Sequence, residues 1–259
     1  MSKLAKPNGI AILIPSSGRD VCLEWAMALK ALMPPVGINQ FMFVNKANPD
    51  EPDPSKRFTR AKQREVLAEK AAAVNSEFMM WLDDDTIPPS TAMQELFFVL
   101  AQNPDAGICG GIYCTKIIPP EPLVFMELGA GVYWHWTIGD VFKCAGLGTG
   151  CMMVRTSIMK NIPKPWFQDT SESKLGDTEK IGEVDLRITG RTGTDDTYFC
   201  KKVSAAGYAI LAHGGVLPAH YGAGKFYKLP TNSYPVTSYQ EKLDAVNAGL
   251  PEGQKKIIL

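Results

Sequence analysis

Three consecutive aspartates, Asp83 to Asp85, form the part of this 259-residue sequence best suited to chemistry. They directly follow the apolar segment FMMWL. Carboxylates this close repel one another unless a cation neutralises them. The triplet therefore predicts either a solvated loop or a site for a hard divalent cation, Mg²⁺ or Mn²⁺, that also binds phosphate oxygens of a substrate. An EF-hand calcium loop is excluded, because no D-x-D-x-D-G pattern follows.

Two further groups could do chemistry. Asp195 and Asp196 open a predicted helix, and the helix dipole keeps a carboxylate there ionised and ready to accept a proton. Asp196 is thus a candidate general base or only a first-turn acid, and Thr194 or Asp195 is expected to cap the helix. His220 precedes a glycine turn, so it is either a hydrogen-bonded structural histidine or a metal ligand that suits Mn²⁺ better than Mg²⁺.

The elements that must position these residues alternate along the first half. Apolar runs predict strands at 9–15, 38–44, 78–82 and 106–113, and helices are predicted at 20–33, 56–74 and 90–103. The pattern predicts an α/β fold with a mostly parallel sheet, covered by helices on both faces. Ligands bind at the carboxyl ends of such strands. The segments Ser16 to Arg19, Asn45-Lys46 and Asp83 to Asp85 are expected to meet at that edge.

The second half is less regular. Residues 141–155 predict two strands around a glycine-rich bend, G-L-G-T-G, and 168–191 predict a long loop. A helix at 195–206 and a strand at 208–212 follow, and one more helix is predicted at 238–248. No linker divides the chain into independent domains.

Composition and net charge argue against several classes of protein. Lys plus Arg and Asp plus Glu both total 27, so the net charge of zero argues against nucleic-acid binding through bulk charge. No apolar run approaches the roughly 18 residues of a membrane helix, and the first residues lack the apolar core of a signal peptide. The six cysteines form no C-x-x-C pair, which favours reduced thiols in a cytoplasmic protein.

Four segments together carry a family resemblance. FMMWLDDDTIPP resembles the D-x-D region of family 2-like glycosyltransferases with the GT-A fold. Gln63-Arg64-Glu65 resembles that family's Arg-Asn helix, residues 193–200 resemble its Glu-Asp helix, and residues 219–222 resemble its His-x-Gly end. The likeness runs from about residue 10 to 222. Two positions depart from the pattern, since Glu65 replaces an asparagine and Asp195 replaces a glutamate.

The resemblance implies a single-domain GT-A fold with a Rossmann-like, mostly parallel central sheet, flanking helices and acceptor-side loops. It implies a catalytic domain at 1–222, with a nucleotide-binding half at about 1–115 and an acceptor half at about 116–222, and a C-terminal extension at 223–259. The implied activity is metal-dependent transfer of a sugar from a nucleotide-diphosphate sugar to an acceptor hydroxyl. The implied cofactor is Mn²⁺ or Mg²⁺.

Residue roles follow from the same resemblance. Asp83, Asp85 and His220 would hold the metal, although Asp83 could bind the ribose instead. Asp196 would be the base, with Asp195 beside it, and Trp166 would be either an acceptor platform or a packing residue. The implied contacts to the nucleotide-sugar are Pro15, Ser16, Arg19, Asn45, Arg64, Asp83, Asp84, Gly148 and Gly150.

Several alternatives stay open at this level. Arg57, Arg60 and Arg64 share one helix face, which is either solvated or in contact with a polyanionic acceptor. The acceptor could be a glycan, a protein, a small molecule or a modified DNA base of a virus. A nucleotidyltransferase is less favoured, because Ser-Ser-Gly-Arg stands where that class has a glycine-rich loop. A non-catalytic sugar or nucleotide binding protein is the third class.

Overall fold

The computed structural model describes residues 9–18, 20–47, 59–168, 178–181, 184–187 and 194–229. The predicted site residue Arg19, Arg57 of the arginine stripe and the helix expected at 238–248 lie outside them. The helices of the described residues are α1 (Leu23–Ala31), α2 (Arg60–Ala73), α3 (Ala92–Gln102) and α4 (Asp195–Ala205), with a short 3-10 helix at Thr156–Lys160. The strands are β1 (Ile10–Ser16), β2 (Gln40–Lys46), β3 (Phe78–Leu82), β4 (Thr86–Ile87), β5 (Ala106–Gly111), β6 (Val124–Phe125), β7 (Val141–Lys143), β8 (Gly146–Leu147), β9 (Cys151–Arg155), β10 (Thr178–Ile181), β11 (Val184–Arg187), β12 (Ala209–His213), β13 (Ala219–Gly222) and β14 (Lys225–Tyr227).

A central sheet of seven strands has the order β2-β1-β3-β9-β5-β12-β7. Strands β1, β2, β3, β5 and β12 run in one direction, whereas β9 and β7 run against their neighbours. The predicted α/β class and mostly parallel sheet are confirmed. The exceptions are β7 at one edge and β9, which lies antiparallel in the middle of the sheet between β3 and β5.

Helices cover both faces of this sheet, as predicted. On one face, α2 and α4 contribute Leu67, Ala68 and Phe199 to one apolar core. On the other face, α1 and α3 contribute Trp25 and Leu96 to a second core. Strands β1 and β3 are buried along nearly their whole length between the two layers. Their continuous apolar sequences are the signature of strands covered on both sides.

Several sequence-based boundaries need correction. Within the described residues α2 begins at Arg60, where Thr59 is the N-cap and its side chain accepts a hydrogen bond from the Lys62 amide. Residues 141–155 hold three short strands, β7, β8 and β9, rather than two. The segment 168–191 is not all loop, because β10 and β11 pair there as an antiparallel hairpin. Strand β2 alternates between exposed and half-buried residues, as an edge strand does.

A small sheet, β14-β13-β4, completes the edge where β3 ends. In it, His220 of β13 pairs directly with Thr86 of β4, just past the aspartate triplet. The β13–β14 hairpin also spans the domain boundary expected at residue 222. None of the helices in the described ranges is long and apolar enough to cross a membrane.

Candidate active site

Arg64 of α2 is fully buried and gathers three carboxylates around its guanidinium group. Its Nη2 lies 3.0 Å from Oδ1 and 3.1 Å from Oδ2 of Asp83. Its Nη1 lies 2.6 Å from Oδ1 of Asp196 and also donates to Oδ2 of Asp195. Arg64 therefore does not belong to a solvated stripe. It joins the end of β3 to the start of α4.

This cluster contains one guanidinium group and three carboxyl groups. Burial lowers the pKa of the Arg64 guanidinium, but the three carboxylates outweigh that effect and leave the pKa well above its ordinary value. Burial raises the pKa of Asp195 to about 6, with Arg64 opposing the rise. Burial likewise raises the pKa of Asp83, again against the pull of Arg64. Arg64 thus stays cationic, and the carboxylates around it outnumber it.

Asp85 lies apart from this cluster and faces two other groups. Its Oδ2 is 2.5 Å from Nζ of Lys116, and its Oδ1 is 3.4 Å from Nε2 of His220. Burial raises the pKa of Asp85, but hydrogen bonds and charge from His220 and Lys116 outweigh it and hold the pKa well below its usual range. Asp85 is therefore ionised at neutral pH.

The histidine tautomer follows from its second contact. Nδ1 of His220 lies 2.7 Å from the carbonyl oxygen of Cys114. A carbonyl only accepts, so Nδ1 carries the proton and Nε2 of a neutral ring presents its lone pair toward Asp85. Two acceptors that face each other need a cation between them, either a proton on Nε2 or a metal ion. This pair is compatible with a divalent cation.

The predicted three-residue metal set is only partly assembled. Asp85 and His220 lie together, but both oxygens of Asp83 are directed to Arg64. Among the residues that the structure describes, no group of three or more His, Cys, Asp or Glu side chains could hold a metal ion. A cation bound by Asp85 and His220 would need further ligands from substrate or water. Mg²⁺ and Mn²⁺ sites on phosphate substrates often have this composition, with few protein ligands.

Asp84, the middle aspartate, holds the loop after β1. Its Oδ2 accepts hydrogen bonds from the amide of Ser17 at 2.7 Å and from the hydroxyl of Ser17 at 3.0 Å. Oγ of Ser16 in turn accepts from the Gly18 amide at 3.2 Å. Asp84 thus stabilises the loop after β1, in which nucleotide contacts are predicted from the sequence.

The ends of β1 and β2 are joined by a buried glutamine. Nε2 of Gln63 donates to the carbonyl oxygens of Ser16 and Asn45, both at 2.8 Å. Pro15 lies opposite Asn45 in the parallel register. The predicted nucleotide contacts Pro15, Ser16 and Asn45 therefore share the sheet edge with the aspartates.

The glycine-rich bend packs against Tyr113. A Cβ at Gly148 would lie 2.4 Å from the Tyr113 hydroxyl oxygen, and a Cβ at Gly150 would lie 2.6 Å from Oγ1 of Thr86. The Gly150 amide donates to the Tyr113 hydroxyl at 3.0 Å. These glycines are thus required by close packing inside the protein, and Gly148 also lines the cleft described below.

Asp196 lies in the first turn of α4. The N-cap is Thr194, and not Asp195, the other residue expected there. Besides Arg64, Oδ1 of Asp196 accepts a hydrogen bond from Oγ1 of Thr149 at 2.7 Å. The Asp196 side chain is 16% exposed. It is partly accessible, as a proton acceptor has to be.

A cleft of about 390 Å³ joins these groups. The predicted site residues along its wall are Asp83, Asp85, Gly148, Asp196 and His220. Arg60, Tyr113, Lys116 and Thr194 line it as well. Its volume is in the range of small-molecule sites, and its wall carries both carboxylates and cations.

Trp166 lies elsewhere. It is 7% exposed, and its indole N–H donates to the Ile162 carbonyl at 3.1 Å. It lines a separate groove of about 560 Å³ with Ala72 and Glu77. Glu77 precedes β3, whereas Asp83 follows it, so this groove is at the opposite end of the strand. The structure supports the packing alternative for Trp166.

Glu65, one of the two departures from the family pattern, has a clear contact. Its Oε1 accepts a hydrogen bond from the Phe167 amide at 2.7 Å. The Phe167 ring stacks on Phe199 and meets Trp81 edge to face. Glu65 thus fastens the 165–168 segment over the layer of the core that surrounds Arg64.

Four important residues were missed by sequence reasoning: Gln63, Tyr113, Lys116 and Thr149. Thr149 stands inside the G-L-G-T-G bend, where a hydroxyl between glycines was an available signal. Gln63 lies in the Gln63-Arg64-Glu65 segment, where only Arg64 was given a role. Tyr113 and Lys116 lie in no motif or period that indicates a site.

Comparisons with solved structures place the fold. A197 from STIV matches with a TM-score of 0.57 and 15% identity, over 89% of this chain and 99% of that one. GalNAc-T7, solved with UDP, GalNAc and Mn²⁺, matches with a TM-score of 0.52 and 10% identity, over 87% of this chain and 45% of that one. S. aureus TarS 1–349 matches with a TM-score of 0.45 and 10% identity, over 80% of this chain and 58% of that one.

No protein-family model and no curated protein matches the sequence. At these low identities the structural likeness shows the fold alone. The neighbours include GT-A-type glycosyltransferases, and the chain has a GT-A-like α/β fold.

Proposed function

We propose that this protein is a metal-dependent glycosyltransferase that moves a sugar from a nucleotide-diphosphate sugar to an acceptor hydroxyl. The observation that carries the proposal is the single cleft onto which Asp85, His220 and Asp196 all open. Asp85 and His220 present a carboxylate and an imidazole nitrogen to one point, and Asp196 supplies a second carboxylate from the first turn of α4. The fold of the chain is compatible with this activity.

The donor diphosphate would bind at the Asp85 and His220 end. A divalent cation held there by these two side chains would offset negative charge on the leaving diphosphate. Mn²⁺ is the expected ion, because an imidazole ligand suits it better than Mg²⁺. The solved GalNAc-T7 structure contains Mn²⁺ and UDP, which is in keeping with this choice for a fold of this kind. Ser16, Asn45 and the loop braced by Asp84 are the proposed contacts for the rest of the nucleotide.

Asp196 would accept the proton of the acceptor hydroxyl. Its Oδ1 already accepts hydrogen bonds from Arg64 and Thr149, so Oδ2 is the proposed proton acceptor. Arg64 and Thr149 would fix the orientation of the carboxylate, since both donate to the same oxygen. In this proposal residues up to about 115 bind the donor together with His220, and the other residues from about 116 to 222 face the acceptor. The cytoplasm is the proposed compartment, in keeping with six free thiols.

A donor screen tests the proposal. UDP-, GDP-, CDP- and dTDP-sugars are each mixed with the protein, with Mn²⁺ or with a chelator, and melting temperature and donor hydrolysis are measured. A donor at a hundred times its Kd stabilises the folded state by about 2.7 kcal/mol, which raises the melting temperature by about 5–10 °C for a domain of this size.

Two variants and a control sharpen this screen. Asp85→Asn should lose the Mn²⁺-dependent part of the stabilisation. Asp196→Asn should keep donor stabilisation and lose hydrolysis. Asp105→Asn is the matched control, because Asp105 is 65% exposed in an ion pair with Lys143 outside the cleft. Failure of every donor to stabilise the wild type with Mn²⁺ would contradict the proposal. Stabilisation by nucleoside triphosphates, with release of pyrophosphate, would instead support a nucleotidyltransferase.

A further inference from the structure

Lys116 is the cation closest to the aspartate that we propose as metal ligand. It follows β5 in the loop that leads to β6, and it lines the cleft. Its Nζ lies 2.5 Å from Oδ2 of Asp85, while the side chains of Lys116 and Asp85 are 33% and 31% exposed. An ion pair this accessible adds only about 0–1 kcal/mol to folding stability. Folding stability alone therefore does not explain why Lys116 lies beside Asp85.

The path of the Lys116 side chain depends on a glycine. A Cβ at Gly222 would lie 2.6 Å from Cδ and 3.2 Å from Cε of Lys116. Gly222 stands in β13, two residues after His220. The strand that delivers the histidine to Asp85 therefore also leaves room for the lysine stem beside it. The arrangement brings three elements to one carboxylate.

Both oxygens of Asp85 are engaged in this arrangement. Oδ1 faces His220, and Oδ2 faces Lys116. A divalent cation that approached Asp85 would meet the positive charge of the ammonium group at the same carboxylate. The single negative charge of Asp85 offsets only part of the three positive charges of a divalent cation and an ammonium group, so the two cations repel each other unless a further anion binds with them. A diphosphate is such an anion, and an ammonium group with three donors can bind a phosphate oxygen in place of a carboxylate.

We infer that Lys116 fills the cation position at Asp85 before the donor arrives and then binds the donor diphosphate, a role that rests on the proposed function. In the free protein, Lys116 neutralises Asp85 and opposes binding of a metal ion alone. When metal and diphosphate enter together, the ammonium exchanges the carboxylate for a phosphate oxygen. The protein thus favours the metal–diphosphate pair over the bare metal.

The experiment compares wild-type protein with Lys116→Met, which keeps the length of the side chain and removes the charge. Binding of Mn²⁺ alone is followed by the electron paramagnetic resonance of free Mn²⁺. Binding of inorganic pyrophosphate in the presence of Mn²⁺ is measured by calorimetry, since this probe does not depend on the unknown base. Lys143→Met is the matched control, because Lys143 pairs with Asp105 at 3.7 Å away from the cleft.

Loss of one charge beside a partly exposed ion changes affinity by about tenfold. Lys116→Met should therefore bind Mn²⁺ alone about tenfold more tightly and Mn²⁺-pyrophosphate about tenfold more weakly, while Lys143→Met matches the wild type. Lys116→Gln provides a second variant if the first melts much below the wild type. Affinities that do not move in opposite directions overturn the inference. A wild type that binds none of UDP, GDP, CDP and dTDP overturns the proposed function as well, so the two failures are distinguishable.

Discussion

Replacement of Arg64 by methionine tests the charge cluster at the centre of the fold. The substitution keeps an unbranched side chain with good helix propensity and removes a fully buried cation. The side chains of Asp83, Asp195 and Asp196, which converge on it, are only 12%, 9% and 16% exposed. Loss of one partner from a buried ion pair costs about 3–5 kcal/mol. Each kcal/mol shifts the melting temperature of a domain this large by about 2–4 °C, so we expect a loss of roughly 6–20 °C.

The loss should depend on pH. Without Arg64, burial and the neighbouring carboxylates are opposed only by Arg60 at Asp83 and Asp195, and the pKa values of these two groups in the folded variant rise further above the unfolded values. The folded variant then binds protons more tightly than the unfolded chain, so its stability falls as the pH rises. The deficit relative to the wild type should therefore be smaller at pH 5 than at pH 8.

Thermal denaturation followed by circular dichroism at both pH values measures these effects. Lys70→Met is the control, because Lys70 is an exposed cation on the same helix and does not line the cleft. A surface substitution of this kind changes stability by about 0.5 kcal/mol or less. Arg64→Lys, which retains the charge without the planar fork, should melt between the wild type and Arg64→Met. If Arg64→Met melts within about 2 °C of the wild type, or shows the same deficit at both pH values, the reasoning is refuted.

Three further predictions concern neighbouring residues. Burial raises the pKa of Asp195 from 3.8 to about 6. The contribution of this residue to folding stability is therefore complete below about pH 4 and is lost as the pH rises through 6. Asp195→Asn should remove that part of the slope in urea unfolding, and an unchanged slope would argue against it. Gly148→Ala places a Cβ 2.4 Å from the Tyr113 hydroxyl oxygen and should cost about 1–3 kcal/mol in the same assay, whereas wild-type stability would show that the bend can shift freely. Thr149→Val removes the hydroxyl that donates a hydrogen bond to Asp196. The substitution should lower kcat of donor hydrolysis about tenfold or more with little change in KM. Thr149→Ser should restore the rate, and failure to do so would mean that Thr149 only fills space.

The sequence predicted the parts of the fold that local patterns record. Strands β1 and β3 are apolar throughout because both of their faces are buried, and their positions were predicted within about one residue. The sequence of β9 does not indicate its direction, because an apolar segment looks the same in a parallel and in an antiparallel strand. Its place between β3 and β5 depends on contacts across the sheet. The half-exposed edge strand β2 also resembles a buried strand in sequence.

The candidate site shows the same division. Asp85 was singled out because it follows a strand, Asp196 because it opens a helix, and His220 because it precedes a glycine turn. The three residues line one cleft. The orientation of Asp83 toward Arg64 could not be read from the sequence, because it depends on how α2 packs against β3 and α4. Lys116 belongs to no motif, and its side chain packs over Gly222, where a Cβ would lie 2.6 Å from Cδ of the lysine.

The reversed strand β9 also affects the order in which the chain can fold during synthesis. Met79 and Met80 of β3 pair with Val154 and Met153, far along the chain. Until residue 155 has left the ribosome, β3 and β5 each lack a neighbour on the side where β9 will lie. Unpaired apolar edges promote aggregation. A nascent chain that still lacks β9 at the centre of its sheet is therefore prone to aggregation. Truncation of the protein before β9 should yield insoluble chains.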